Sequence, residues 1–263
     1  MRVVFLGTGT SHGVPMIGCD CDVCRSTDPR DKRTRPSVYL ELDDGGRVLV
    51  DTTPDLRTQA LRHDLRQLDA IFFTHAHADH VMGLDDVRRF NMINRAPVPI
   101  YADARTLADV ERTFAYIFDP RTAKGGGVPD VRLWRIGGRF CFGRQEVTPV
   151  PVRHGPRTIL GFRIGGFAYL TDCNDIPAAS LAELGGLHTL VLDALRHRPH
   201  PTHFTLEQAV VVARRIGAGQ TYFTHIAHDL PHAETCAALP AGMALAYDGL
   251  TLMIDAHADR PLS

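Results

Sequence analysis

Short apolar runs alternate with amphipathic segments along this chain. Residues 37–42 alternate apolar and polar side chains, a turn rich in Asp and Gly follows, and 47–51 returns as the second arm of a hairpin. Residues 56–68 carry apolar side chains at a spacing near 3.6, which predicts an amphipathic helix, and the apolar run 70–73 predicts a buried strand. Further strands are predicted at 3–6, 99–101, 131–134, 145–152, 159–164, 167–171, 189–193 and 220–224, and a helix at 205–216 with Thr205 as its N-cap.

This succession predicts one layered α/β domain over residues 1–263, because strands that alternate with helices pack as a sheet covered by helices. Residue types that bind metals follow several of the strands, so we expect a functional site along one sheet edge. The segment 121–129, RTAKGGGVP, indicates a loop or lid.

The composition, with 44% hydrophobic and 22% charged residues, is typical of a globular protein. The net charge of -1 gives no reason to expect a nucleic acid or a membrane as partner. The apolar run at the start of the sequence is too short and too interrupted by glycine for a signal peptide, so we expect a cytoplasmic location. In that reducing compartment, the clustering of three of the 6 cysteines favours metal binding over a disulfide.

The densest chemical signal directly follows the strand at 70–73, where His75, His77, Asp79 and His80 stand close together. In an extended segment residues two apart point to the same side, so His75 and His77 can face one metal while the next turn brings Asp79 and His80 toward another. A polar loop with surface histidines is the alternative for a lone HxH, and the full pattern after a strand favours metal.

Two metals need ligands from other strand ends as well, because one short loop cannot surround two ions. His154, Asp172 and His225 each stand just beyond an apolar run. Each could be a polar residue that merely ends a strand, but together they complete two coordination shells. The predicted ligands are His75, His77 and His154 for one metal, Asp79, His80 and His225 for the other, and Asp172 as the bridge.

With these residues in this order, the chain resembles the metallo-β-lactamase superfamily, whose pattern is HxHxDH followed by separate His, Asp and His ligands. The resemblance extends from GTGT at 7–10 to YDGL at 247–250. Within that superfamily, GTGTSHGVPMIGCDCDVC at 7–24 is similar to the PhnP-type phosphodiesterases, which act on phosphoribosyl cyclic phosphate. The resemblance implies an αββα four-layer sandwich, a dinuclear hydrolytic site and a separate structural zinc.

That zinc is expected in a loop at about 18–36. Cys19, Cys21 and Cys24 supply three thiolates, and a structural zinc takes a fourth ligand, for which His228 is the matching position. The alternatives are free cysteines in a surface loop, or an iron–sulfur cluster that would need a fourth thiolate from an isolated cysteine.

The resemblance gives roles to three further groups. Asp51 matches a buried aspartate that would fix the tautomer of a ligating imidazole, although a simple turn aspartate is the alternative. His203 matches a histidine that reaches the site without being a core ligand, which suits a general acid or a phosphate binder; a surface histidine at a helix start is the alternative. Asp79 is also expected to orient the attacking hydroxide or accept its proton.

The expected activity is hydrolysis of a small cyclic phosphodiester, such as phosphoribosyl 1,2-cyclic phosphate, by a hydroxide held between two divalent metals. Zinc, manganese, iron and nickel all suit such ligands. A tRNA 3′-processing nuclease, a β-lactamase or a thioesterase would use a similar site. A non-catalytic, metal-stabilised binding protein of the PqqB type is the alternative of another class. A homodimer is expected on the resemblance alone.

Two segments have open roles. Thr8, Thr10 and Ser11 lie in a glycine-rich loop that either contacts the substrate or forms a structural turn. The basic stretch 30–35, RDKRTR, is expected to be an exposed solubilising loop or to attract anionic substrates.

Overall fold

The computed structural model describes residues 1–122 and 127–254, and within them strands and short helices alternate. The strands are β1 (Arg2–Gly7), β2 (Ser37–Glu41), β3 (Arg47–Val50), β4 (Ala70–Phe72), β5 (Val98–Ala102), β6 (Val131–Arg135), β7 (Phe140–Phe142), β8 (Gln145–His154), β9 (Arg157–Ile164), β10 (Phe167–Leu170), β11 (Thr189–Asp193), β12 (Gln220–Thr224), β13 (Met243–Leu245) and β14 (Thr251–Met253). The helices are α1 (Asp22–Arg25), α2 (Leu56–Arg62), α3 (Ala78–Val81), α4 (Arg88–Asn94), α5 (Ala104–Thr113), α6 (Ala115–Phe118), α7 (Ala178–Ala182), α8 (Leu206–Ile216) and α9 (His232–Ala238), with 3-10 turns at Pro29–Asp31 and Leu84–Val87.

These strands form two seven-stranded sheets. One has the order β14-β1-β2-β3-β4-β5-β6 and the other the order β13-β12-β11-β10-β9-β8-β7. The run β3 to β6 is parallel, and so is the run β10 to β13. Because parallel strands end at the same edge of a sheet, the residues that follow them gather there.

Three apolar layers hold the sheets and helices together. Val3 and Phe5 of β1 face the layer between the two sheets, where they join Phe72 and Phe162. Val4 of the same strand faces the helices outside the first sheet, because successive side chains of a strand point to opposite faces. A third layer lies between the second sheet and its helices. The predicted αββα four-layer sandwich is therefore confirmed, and strands buried on both faces explain the continuous apolar runs.

Most predicted strands are confirmed to within one or two residues at each end, but the helix predicted at 56–68 is too long. It ends at Arg62, and Asp64 adopts a left-handed φ of 51° that a continuing helix does not allow. Leu65 and Leu68 still pack against the core from this turn, so their apolar character imitated a longer helix. The pattern also missed α4, α5, α7 and α9, and the short strands β7, β13 and β14.

The predicted start of α8 is confirmed. Thr205 accepts a hydrogen bond from the backbone N–H of Gln208, and the Gln208 side chain accepts one from the Thr205 N–H, which is a capping box. Gly217 ends the helix with a φ of 73°. In the described residues no helix is long and apolar enough to cross a membrane.

The expectation of an exposed solubilising loop at 30–35 is wrong. Arg33 is buried and hydrogen-bonds Thr8, and Arg35 forms an ion pair with Asp55. Lys32 donates to the carbonyl of Cys24. These charges are used inside the protein to hold the N-terminal loop in place. The segment 121–129 predicted as a lid includes residues 123–126, which lie outside the described residues.

Candidate metal centre

Sharp turns at strand ends bring the candidate side chains together. Asp51 directly follows β3, Asp172 is the second residue after β10, and His225 directly follows β12. Their φ angles of 65°, 57° and 61°, in that order, are left-handed. Such a conformation is uncommon for residues other than glycine and is often found at functional sites. All three side chains are almost completely buried at the sheet edge.

The seven predicted ligands lie in two adjoining groups. The three-histidine group consists of His75, His77 and His154, whose potential ligand atoms all lie within 4.8 Å of one another. The mixed group consists of Asp79, His80, Asp172 and His225, which meet the same distance limit. His77 occupies the N-cap position of the short helix α3. The first turn of that helix places Asp79 and His80 in the mixed group, while His75 and His77 belong to the other.

Asp172 lies between the groups. One carboxylate oxygen is 3.2 Å from His80 Nε2, and the other is 3.1 Å from His225 Nε2 and 3.9 Å from His75 Nε2. Donor atoms around a cation at roughly 2.0–2.2 Å are separated by about 3–4 Å. The spacing thus suits a carboxylate shared by two cations.

Hydrogen bonds to Nδ1 of the histidine rings orient Nε2 of the same rings toward the metal centre. His80 Nδ1 donates to Asp51 at 2.7 Å. His75 Nδ1 lies 3.0 Å from the hydroxyl of Thr74, which itself donates to Asp51 at 2.8 Å. His154 Nδ1 lies 3.0 Å from the carbonyl oxygen of Thr202. In each ring Nδ1 carries the proton, so Nε2 keeps a lone pair for a metal.

A cation would satisfy polar atoms that have no other partner. The Nε2 atoms of His75, His80 and His225 are buried and make no hydrogen bond to any described residue. A buried polar atom without a partner costs roughly 1–3 kcal/mol. The residues present therefore fit a metal centre, and imidazole with carboxylate is a donor set that zinc, manganese, iron and nickel accept.

The pKa shifts of the histidines and of Asp172 also favour metal binding. Burial lowers the pKa of His75, His77 and His154 below the ordinary imidazole value, which leaves them neutral and able to ligate. Burial would raise the pKa of Asp172, but the neighbouring His225 and His80 hold it well below its usual range. The shared carboxylate is therefore ionised at neutral pH.

The pKa values of His80 and His225 are shifted upward. Burial opposes this, but Asp172 and the other carboxylates outweigh it, and the pKa of His225 rises to about 10. The carboxylates of the mixed group thus favour a positive charge between them. A divalent cation supplies that charge and would displace the ring protons, as metal binding generally does.

His203 joins the edge of the centre through a residue that the sequence interpretation missed. Its potential ligand atom lies within 4.8 Å of those of His154 and Asp172, and its Nδ1 lies 3.1 Å from Asp193. The second Asp193 oxygen is 3.7 Å from His225 Nδ1. Asp193 ends β11 and is fully buried, so its position at an apolar strand end was a signal that could have identified it.

The predicted structural zinc ligands also lie together. The sulfurs of Cys19, Cys21 and Cys24 are 3.2, 3.3 and 3.5 Å from His228 Nδ1. The backbone N–H of Cys24 lowers the pKa of the Cys21 thiol to about 7. Three sulfurs around one imidazole nitrogen fit a tetrahedral zinc site.

One segment connects the two centres. Ile226 forms a bridge with Gly9, its N–H donates to the Thr8 carbonyl at 2.9 Å, and its carbonyl accepts from Thr10 N–H. The Thr8 hydroxyl and N–H both bind Asp248, so Thr8 is structural. The glycine-rich loop thereby holds His225 and His228 in their places.

The family model described as the β-lactamase superfamily domain matches residues 46–226, more than half of the chain. The chain therefore belongs to the metallo-β-lactamase superfamily. Within it the chain falls in the PhnP-like branch: a solved structure described as a new diphosphatase from the PhnP family is 49% identical, covers 97% of this chain and 98% of its own, and superposes with a TM-score of 0.90.

Two other relatives are similar to this chain, one in structure and one in sequence. Zn(2+)-bound PqqB from Methylobacterium extorquens is 23% identical, with a TM-score of 0.78 over 97% of this chain and 100% of its own. A protein named octanoyltransferase from Porphyromonas gingivalis is 40% identical over 259 residues, which is 97% of this chain and 52% of that protein. This chain thus spans about half the length of that relative.

Proposed function

We propose that this protein is a metal-dependent hydrolase that cleaves a P–O bond in a small phosphodiester or diphosphate, with phosphoribosyl 1,2-cyclic phosphate as the first candidate substrate. The observation that carries the proposal is the carboxylate of Asp172 between two groups of donors, with His203 held by Asp193 beside it. Such a centre suits attack on an anionic phosphorus, where charge must be neutralised on several oxygens.

The three-histidine group would hold one divalent cation and the mixed group the other, with Asp172 shared. When bound, two such cations lower the pKa of water and neutralise phosphate oxygens. A separate zinc would be held by Cys19, Cys21, Cys24 and His228 and would stabilise the loop. Because the cysteines must stay reduced for this, we propose a cytoplasmic setting.

The side chains carry the proton transfers. Asp79 keeps an ionised carboxylate, since neighbouring His80 and His225 outweigh burial and hold its pKa well below the usual range, so it can orient the attacking water. As the water oxygen bonds to phosphorus it gives up a proton to Asp79, the bond to the departing oxygen breaks, and that oxygen keeps the electron pair. His203 in its doubly protonated form then supplies the Nε2 proton, while its Nδ1–H donates to Asp193.

The relatives support this chemistry in different degrees. The diphosphatase at 49% identity favours phosphorus as the reacting atom, and water attack on a diphosphate breaks the same kind of bond as on a diester. The octanoyltransferase match covers half of that protein. The two donor groups consist of imidazoles and carboxylates, with no cysteine or lysine nucleophile for acyl transfer among them. We therefore do not propose octanoyl transfer.

A substrate panel on protein of measured metal content tests the proposal. It contains bis(p-nitrophenyl) phosphate, phosphoribosyl 1,2-cyclic phosphate and ADP-ribose, each with manganese, zinc, nickel or iron. We expect turnover of at least one, and its loss in His77→Ala and Asp172→Ala. His197→Ala is the matched control, because this imidazole is exposed and pairs with Glu207 outside both groups. Absence of turnover by metal-loaded protein would contradict the proposal and favour a PqqB-like binding protein.

A further inference from the structure

The first sheet has an open edge at β6. This strand is the last in the order of that sheet and pairs with β5 alone among the residues that the structure describes. Its sequence is VRLWR, and Trp134 is 53% exposed. An edge strand presents backbone N–H and C=O groups that can bond to a further strand. The outer side of β6 is therefore a candidate interaction surface.

The hydrogen bonds to β5 show which backbone groups of β6 face outward. The carbonyl of Asp130, just before β6, accepts from β5 at 2.9 Å, and the N–H of Ile136, just after it, donates to β5 at 2.8 Å. Because alternate residues of a strand face the same neighbour, the even-numbered residues of β6 bond to β5. The backbone groups of the odd-numbered residues therefore point away from the sheet, and these residues are Val131, Leu133 and Arg135.

The side chains of β6 follow the same alternation. Val131 and Leu133 pack against the apolar layer between the first sheet and its helices. Trp134 lies on the opposite face, where its ring stacks on that of Tyr101 with 6.2 Å between centroids. Arg132 is exposed and shares the face of Trp134, because residues two apart in a strand point to the same side. A cation and an indole ring thus lie two residues apart along the open edge.

This pattern makes β6 complementary to a second copy of itself. In an antiparallel pair with Leu133 of each copy opposite Leu133 of the other, all three outward-facing residues both donate and accept. Val131 of one copy then faces Arg135 of the other, and no two like charges lie directly opposite each other. A centre moved to Arg132 or Trp134 leaves part of the strand unpaired, and the centre at Arg132 also sets two arginines opposite each other, which is unfavourable.

The same register pairs unlike side chains across the edge. Arg132 of each copy faces Trp134 of the other in a non-hydrogen-bonded pair, the type in which side chains approach more closely. A guanidinium over an indole ring forms a favourable cation–π contact. Two-fold symmetry forms this contact twice. The stack on Tyr101 already orients the indole, so less side-chain freedom is lost on association.

We propose that two copies of this chain associate through antiparallel pairing of their β6 strands, so that the first sheet continues across a two-fold axis. The proposal is independent of the reaction at the metal centre. A pair of five-residue strands buries a small area compared with a permanent interface. We therefore expect a reversible homodimer with a dissociation constant on the order of micromolar.

Sedimentation equilibrium of the metal-loaded full chain, from low to high micromolar concentration, measures this association. Trp134→Ala should weaken it at least tenfold, and Arg132→Gln roughly three- to tenfold. Arg135→Pro removes an outward N–H without touching the bonds to β5, and should also weaken it at least tenfold. Met253→Ala is the matched control, since it removes a 74% exposed side chain from β14 at the opposite edge of the same sheet, and should dimerise like the wild type. Unchanged midpoints of thermal unfolding show that the variants fold.

Cysteine cross-linking tests the register. In a Cys141→Ser background, which removes an exposed thiol, Leu133→Cys should form a disulfide-linked dimer under mild oxidation. The two Cα atoms of that pair lie about 5.5 Å apart in the proposed register, within reach of a disulfide. Arg132→Cys is the control, because its two copies lie roughly 8 Å apart along the ladder, which is too far. Arg132→Cys mixed with Trp134→Cys should cross-link again.

Two results would overturn the proposal. A wild-type chain that stays monomeric at high micromolar concentration would show that the arginines of β6 protect the edge from pairing. A dimer that Trp134→Ala and Arg135→Pro do not weaken, and in which Leu133→Cys does not cross-link, would show that the copies associate through another surface. Loss of turnover on every phosphorus substrate would count against the proposed function and leave this test unaffected.

Discussion

At the scale of single residues, buried polar groups at strand ends organise the site. Asp51 accepts from Thr74 N–H at 2.9 Å and from His80 Nδ1 at 2.7 Å, while fully buried and with a left-handed φ. Asp193 plays a similar part for His203. These carboxylates orient the imidazoles, and a cation-binding site depends on that orientation as much as on the ligands themselves.

Replacing Asp51 with Asn tests this dependence. Asn tolerates the φ of 65° but presents an amide in place of one of the two oxygens that bind Thr74 and His80. We expect metal affinity to fall roughly 10–100-fold, measured by titration of the apoprotein. Asp64→Asn, at another left-handed aspartate in an exposed turn, should bind metal like the wild type. Equal affinities for all three proteins would contradict the role of Asp51.

The buried His232 predicts a dependence of stability on pH. Burial and the neighbouring Arg33 lower the pKa of His232 from 6.5 to about 4 in the folded protein. Between these values the unfolded chain binds a proton that the folded chain does not. The contribution of His232 to the free energy of unfolding is therefore fully present above about pH 6.5. It is lost as the pH drops toward 4, at on the order of 1 kcal/mol per pH unit.

Denaturant unfolding between pH 4 and pH 7 measures this dependence. His232→Asn should flatten the pH profile relative to the wild type, because the titrating group is gone. His197→Asn removes an exposed histidine and should keep the wild-type slope. The same slope for His232→Asn as for the wild type would show that other groups cause it.

At the scale of elements, each strand end delivers one or two functional side chains and a short helix or loop holds them. The helix α8 begins three residues after His203, and its capping box fixes the direction in which the chain leaves the site. The 11-residue helix packs Leu206, Ala209 and Ala213 against the second sheet. A secure first turn of α8 thus also positions His203.

Thr205→Ala removes the hydroxyl that accepts from Gln208 N–H. We expect the free energy of unfolding to fall by about 1 kcal/mol, measured by denaturant titration, with kcat lowered as well because His203 is held less firmly. Thr205→Ser keeps the hydroxyl and should behave like the wild type. A stable Thr205→Ala protein would show that the capping box is not needed here.

At the scale of the whole molecule, the sandwich places two centres on either side of one connecting segment. The cysteine site joins the N-terminal loop to a segment more than 200 residues later in sequence, between Cys19 and His228. The metal centre gathers ligands from the ends of β4, β8, β10 and β12. We infer that the first centre stabilises the architecture and the second carries the chemistry.

Cys21→Ala tests this division. We expect a lower midpoint of thermal unfolding, by roughly 2–4 °C for each kcal/mol lost, with turnover per folded molecule largely kept, whereas His77→Ala should abolish turnover with little change in the midpoint. Cys141→Ala, an exposed cysteine outside the cysteine site, should change neither property. Loss of turnover in a stably folded Cys21→Ala protein would overturn the division.

Much of the site could be predicted from the sequence, because its ligands lie at the ends of strands and apolar runs predict those strands. His75, His77, Asp79 and His80 are neighbours in the chain, and His154, Asp172 and His225 each follow such a run. Asp193 ends such a run too, so the same signal was present there, although the residue lies outside the ligand pattern that drew attention to the others. The helices α4, α7 and α9 have seven residues or fewer, so their local pattern is weak compared with the packing that stabilises them. The helix α5 was missed although its signal is present, since Asp103 caps it and Leu107 and Val110 lie on its buried side.

The sequence by itself determined the alternation of strands and helices, the residue types available for ligation and their order, since these depend on local periodicity and side-chain chemistry. Only the tertiary structure decided how close Asp172 lies to each group, that Asp193 holds His203 and that Arg33 is buried. The reason is physical: hydrogen bonding, burial and charge pairing depend on contacts between distant parts of the chain, which local patterns do not encode.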